Sequence, residues 1–190
     1  HLACWPTLFE ALVISILSQQ ISTAVAMTFK RRFVERFGEW LSQGGQDYFA
    51  FPRPEKIARA AVEDLRALGL SGAKATSILD LARAVDESQL DDEALKKQDN
   101  ETVIVRLSQL RGVGRWTAEW ALMLYFGRED VFPAGDLFLR GALVKYYNKG
   151  EPLSEKEIRA LAARRWDQWS SYAALYLIAG LRAGSVKLKE

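Results

Sequence analysis

Residues 109–122 read QLRGVGRWTAEWAL. Gly112 and Gly114 bracket one valine, a helical pattern stops just before them, and an amphipathic run begins at Arg115. Two glycines at this spacing permit positive φ and remove Cβ bulk from a connection that has almost no linker. Such a turn aims successive backbone N–H groups outward at a helix start, where they and the helix dipole hold an anion without a charged side chain. A tight helix–helix turn with no ligand is the structural alternative, and Gly-X-Gly alone does not separate the two. The next strong feature is VFPAGDLFLRGAL, 131–143, in which Asp136 stands behind Pro-Ala-Gly where a helix begins. An aspartate there reads as an N-cap. It also reads as a carboxylate presented for chemistry, and the two roles are compatible because capping fixes the rotamer.

The bulk properties restrict what that chemistry can be. The chain has 190 residues, 49% of them apolar and 26% charged, which suits a soluble globular chain with a substantial core. The longest apolar run, ALVISIL at 11–17, is too short to span a bilayer. No signal peptide is visible, so the expected compartment is the cytoplasm, or the nucleoid in a bacterium. Cys4 is the one cysteine and His1 the one histidine. Within these residues that excludes an internal disulfide, a four-cysteine iron–sulfur cluster, a histidine triad and a zinc site. Asp, Glu, Lys, Tyr or the backbone must carry any reaction. The net charge of +2 does not announce a nucleic-acid binder. Charge is unevenly spread, however: residues 86–101 hold seven acids against two lysines, which reads as a solvated face or loop.

Helical periodicity dominates. Leu8, Phe9, Leu12, Val13, Ile16 and Leu17 recur at helical spacing. Ser22 and Ser71 are positioned to cap the second and a later helix, Asn100 another, and Ser154 with Glu157 forms a capping box. PEKIARA and VEDLRALG predict two short helices. Further helices are expected over about 115–126, from Asp136 to about 147, and over about 170–183. No convincing strand alternation is present. The fold class is all-α, with about ten helices.

LRGVGRWTA (110–118) followed by the Pro-Ala-Gly-Asp segment resembles the helix-hairpin-helix DNA glycosylases, whose hairpin precedes a Gly/Pro-rich stretch and a catalytic aspartate. FEALVISILSQQIS (9–22) and LGLSGAKATSILDLA (68–82) match the same superfamily, and RWDQWSSYAALYL (165–177) is similar to its alkylpurine branch. The resemblance implies two helical lobes with a DNA-binding cleft between them. A six-helix barrel-like lobe over 6–127 would end in the hairpin, and a second lobe would comprise 128–190 with 1–5. It implies a monomer acting on damaged double-stranded DNA and excising alkylated purines of the 3-methyladenine and 7-methylguanine type. Deaminated or mismatched bases are the alternative substrates, and a non-catalytic DNA-binding module is the alternative class.

The resemblance also assigns residues. Asp136 would stabilise the oxocarbenium-like sugar as the base departs. Some relatives nick the strand through a lysine two residues past the second hairpin glycine; Trp116 stands there, so no imine and no abasic-site lyase activity is expected. A cationic base attracts electron-rich rings, which makes Trp116 and Trp120 the lesion-pocket candidates, with core packing the alternative for each. Gln20 and Ile21 stand where relatives fill the gap left by a flipped nucleotide; the alternative is that Gln19 and Gln20 hydrogen-bond a helix turn. The amides of Gly112, Gly114 and Thr117 would meet DNA phosphates. Carbonyls of Ser108, Leu110 and Val113 would hold one Na⁺ or K⁺ beside the DNA, with no catalytic cofactor. The C-terminal motif departs from relatives at Gln168 and Ser170, and Ile178 falls where one relative has a pocket tryptophan. Trp166 and Trp169 read as core or pocket-rim residues, and the pair Tyr172 and Tyr176 as core.

Overall fold

The computed structural model describes Leu2 and residues 4–188. His1, Ala3, Lys189 and Glu190, which the expected lobe boundaries include, lie outside the described residues. Among these residues the chain forms eleven α-helices, one 3₁₀ turn and a two-stranded hairpin. The first group comprises α1 (Leu8–Ser18), α2 (Thr23–Phe37), α3 (Pro54–Ala58), α4 (Val62–Arg66), α5 (Gly72–Asp86), α6 (Asp92–Lys96), α7 (Asn100–Leu107) and α8 (Arg115–Leu124). After it come α9 (Leu137–Tyr147), α10 (Glu155–Trp166) and α11 (Ser170–Arg182).

α1 is the central element. Leu12, Val13, Ile16 and Leu17 have almost no exposure, and the helix packs against α2, α5 and α8. Burying four such side chains contributes roughly 6–12 kcal/mol of gross transfer free energy, most of it offset by chain ordering. α9, α10 and α11 pack on one another, and the apolar core runs continuously from α1 into them through Val131, Phe132, Leu139 and Ala174. Ser171 fastens the junction. Its Oγ donates to the carbonyls of Arg128 and Val131 and accepts from the Val131 amide, so a fully buried hydroxyl is satisfied.

The expected caps are present at Ser22, Ser71 and Ser154, the last with Glu157 completing its box. Asn100 is not a cap: Asp99 holds that place, its carboxylate accepting from the Thr102 amide. The acidic run is not a free loop. It contains α6 and is docked by Tyr125, whose hydroxyl donates to Asp92, and by Arg128, which donates to the carbonyls of Lys96 and Gln98. The unexpected hairpin is β1 (Trp40–Gln43) with β2 (Gln46–Phe49), in antiparallel register Trp40↔Phe49 and Gln43↔Gln46. Gly44 and Gly45, both at positive φ, close it. Neither face is buried, so no alternation was imposed on its sequence.

For two aromatic residues the core reading does not hold. Trp166 stacks on Phe132, with ring centroids 5.7 Å apart, but Trp169 and Tyr176 are exposed. Together with Tyr147, Trp166 and Tyr172 they line a shallow groove of about 520 Å³ on the outer side of α11. Tyr172 spends its hydroxyl on Glu129 instead of on packing.

Candidate active site

The glycine turn between α7 and α8 carries two different glycines. Gly112 has φ +78°, and a Cβ there would lie 2.4 Å from the Ser77 hydroxyl on α5. Both conformation and space exclude a side chain. Gly114 has extended backbone, φ −94° and ψ 178°, and a Cβ on it would meet nothing within 4 Å. Between them Val113 is buried in the core and pins the turn. Gly114 caps α8 without a side chain, and the amides of Arg115, Trp116 and Thr117 have no protein acceptor among the described residues. Gly112 and Gly114 are exposed, whereas Thr117 is buried.

Gln19 explains why Thr117 points inward. Its Nε2 donates to the Gly112 carbonyl at 2.8 Å and to Thr117 Oγ1 at 3.0 Å. The loop between α1 and α2 is thus tied to the turn between α7 and α8. Lys74 holds the same loop from α5, its ammonium donating to the carbonyls of Leu17 and Gln19 at 2.9 and 2.7 Å. Burial lowers the Lys74 pKa from its ordinary value. Above this support Gln20 is exposed, at φ +57°, a conformation that is rare outside glycine. Ile21 beside it is half-buried. Gln19 and Gln20 therefore do different things: one is a strut, the other is held outward.

Asp136 caps α9. Its Oδ1 accepts from the amides of Phe138 and Leu139 at 3.0 and 3.1 Å. Its Oδ2 accepts from Trp116 Nε1 at 3.3 Å. The carboxylate is half-buried, directed at α8 and not at an apolar interior. The hairpin helix and the aspartate, far apart in sequence, thus share one site. Trp116 and Trp120 are edge to face, centroids 6.3 Å apart at 72°. Trp116 faces the carboxylate, whereas Trp120 packs against the core with its Nε1 buried and unpartnered. Leu137 and Phe138, in the first turn of α9, are 79% and 56% exposed, which makes them an apolar lip beside Asp136. The groove on α11 includes neither Asp136 nor Trp116.

The sequence model of the HhH-GPD superfamily of base excision DNA repair proteins matches residues 13–168. The chain belongs to that superfamily. A DNA-3-methyladenine glycosylase of Bacillus subtilis is 34% identical to this HhH-GPD chain over 172 residues, which is 90% of the chain and 56% of the relative. A 3-methyladenine DNA glycosylase from Archaeoglobus fulgidus superposes with TM-score 0.83 and 34% identity, over 95% of this chain and 60% of that one. A Schizosaccharomyces pombe 3-methyladenine DNA glycosylase solved with abasic DNA gives TM-score 0.75 and 27% identity, over 99% and 85%. The HhH-GPD chain therefore spans little more than half the length of the Bacillus relative.

Sequence reading missed Ser77 and Lys74, and it named Gln19 only as a side chain that could hydrogen-bond a helix turn. Ser77 and Gln19 carry no local signal, since their partners are 35 and 93 or more positions away. Lys74 carries one: a lysine in a helix's first turn opposes the macrodipole and needs a partner elsewhere. Among the described residues no three His, Cys, Asp or Glu side chains gather to hold a metal. No helix among them is long and apolar enough to cross a membrane.

Proposed function

We propose that this chain is the catalytic unit of a monofunctional DNA glycosylase that hydrolyses the N-glycosidic bond of alkylated purines in double-stranded DNA, acting as a monomer. The observation that carries the reading is the Asp136 carboxylate, clamped by two amides of its own helix and turned toward the α8 turn. A carboxylate so fixed stabilises positive charge at the anomeric carbon without reorganising during the reaction. It also orients water toward that carbon once the base has left. A cationic purine departs neutral and needs no general acid, which agrees with a site that has no histidine. Trp116 supplies a π-face and no amine, so hydrolysis, not imine formation, is the expected outcome.

The free amides at the start of α8, with those of Gly112 and Gly114, are the proposed phosphate contacts. Gln20 is the proposed plug for the emptied stack, with Ile21 as its wedge. The exposed Gln20 side chain on a positive-φ backbone supports this reading, since such strain clusters at working sites. Leu137 and Phe138 offer apolar cover to the deoxyribose. The division into lobes over 6–127 and over 128–190 with 1–5, with a cleft at Asp136, is part of the same proposal and agrees with the packing of α9, α10 and α11 on one another. Carbonyls of Ser108, Leu110 and Val113 suit one Na⁺ or K⁺: they are hard oxygen donors, and among the described residues only that of Leu110 accepts a hydrogen bond, from the Val113 amide at 3.1 Å.

The test is base release from a panel of duplexes, each carrying one modified base. Release of alkylated purines without strand cleavage, and no borohydride-trapped adduct, supports the reading. Release of deaminated or mismatched bases alone would reassign the substrate, and no release from any duplex would leave a DNA-binding module.

A further inference from the structure

Behind the site runs a ladder of alternating charge. Glu119, on α8, is 2% exposed, yet its Oε1 accepts from two arginines: Arg115 Nε at 3.1 Å and Arg159 Nε, from α10, at 2.9 Å. Arg115 continues to Glu101 on α7, and Arg159 to Glu155 on α10 at 3.0 Å. Five charges thus connect α7, α8 and α10. Burial raises the Glu119 pKa, and the two arginines only partly counter it. Its second oxygen, Oε2, is buried with no partner. For stability alone, replacing such a buried cluster as a whole by apolar side chains of similar volume is often neutral or stabilising.

Two rungs of the ladder, Arg115 and Glu155, abut the site. Arg115 is the chain neighbour of Trp116. Glu155 Oε1 lies 3.5 Å from where a Cβ on Gly135 would stand, and the Trp116 Cβ lies 3.7 Å from the same point. Gly135 directly precedes Asp136. The ladder therefore includes, or touches, the residue that directly precedes each partner in the Trp116–Asp136 hydrogen bond.

We propose that Glu119 is a positioning residue which, through Arg115 and Arg159, sets the placement of Trp116 relative to Asp136; this rests on Asp136 being the catalytic carboxylate. Breaking the middle of the ladder lets α8 and α10 shift by fractions of an ångström while the DNA-binding turn stays intact. The chemical step, not affinity, carries the loss.

The experiment uses single-turnover excision from a duplex with one alkylated purine, with enzyme in excess, and a separate binding titration. Glu119→Gln is expected to lower the saturating rate on the order of 10- to 100-fold, with Kd changed by less than about twofold, within the noise of independent sites. Arg159→Met should act alike and Arg159→Lys should recover part of the rate. The ¹⁵N–¹H indole resonance of Trp116, identified by its disappearance in Trp116→Phe, should move in Glu119→Gln. A wild-type rate in Glu119→Gln, or an unmoved Trp116 resonance, overturns the inference even if the protein melts earlier. If Glu119→Gln does not fold, Glu155→Gln and Arg159→Lys take its place, read by the same two measurements. Should the wild-type chain release no base from any duplex, the proposed function fails by itself, and the Trp116 resonance alone then decides the ladder's role.

Discussion

Two helix N-termini meet at this site, and they solve the same problem in opposite ways. The start of α8 is capped by a glycine that contributes no side chain, so three amides are left without a protein acceptor among the described residues. The start of α9 is capped by Asp136, which takes two amides for itself. The first end leaves its partial positive charge unspent; the second spends it on holding a carboxylate. A helix dipole is therefore no signature of anion binding until the cap is known. What decides is whether the donors are already engaged.

That contrast can be broken, and the largest effect is expected at α9. Asp136→Asn keeps a capping oxygen, so circular dichroism and melting should change little, while base excision should fall on the order of 10²- to 10³-fold or more with DNA binding retained. If Asn kept full activity, the residue would be a cap and nothing else. At the α8 end Gly112→Ala should destabilise by about 2–4 kcal/mol, the sum of left-handed strain and a clash with Ser77. Denaturant melts measure it, and Ser77→Gly added to it should recover part of the loss. Gln19→Ala removes two hydrogen bonds and leaves the buried Thr117 hydroxyl without its donor, a loss of roughly 1–3 kcal/mol. The same variant should blunt any effect of Gln20→Ala, because the loop no longer holds that side chain outward. The smallest change sharpens the comparison most. Gly114→Ala meets no steric obstacle, so stability should stay within about 0.5 kcal/mol. Its methyl would stand where a phosphate approaches, and duplex affinity should weaken by roughly 1 kcal/mol, about fivefold. If Gly114→Ala binds DNA unchanged, the open amides are not the phosphate seat.

Much of the fold was legible in the chain because it is carried by local rules. Ser22, Ser71 and Ser154 cap where they were expected, and the apolar stripe of α1 is buried as its period requires. The hairpin at 40–49 was legible only through Gly-Gly, since a ribbon with two exposed faces carries no alternation. The core reading of Trp169 and Tyr176 failed because large aromatic residues in a helix pattern ordinarily pack inward, and here the last helix lies at an edge. The acidic run is the solvated face its charges predict, and what they could not show is that the run is gripped by Tyr125 and Arg128.

By itself the sequence determined that the protein is helical, that a turn of two glycines opens one helix, that an aspartate opens another, and that the position two past the second hairpin glycine holds no lysine. Those facts depend on neighbours within a few residues. Only the tertiary structure decided that the two helix ends share one site, that Gln19 is a strut while Gln20 is held out, and that a buried glutamate bridges α8 and α10. Those contacts join residues 20 to 98 positions apart, and no short-range period or propensity carries information over that distance.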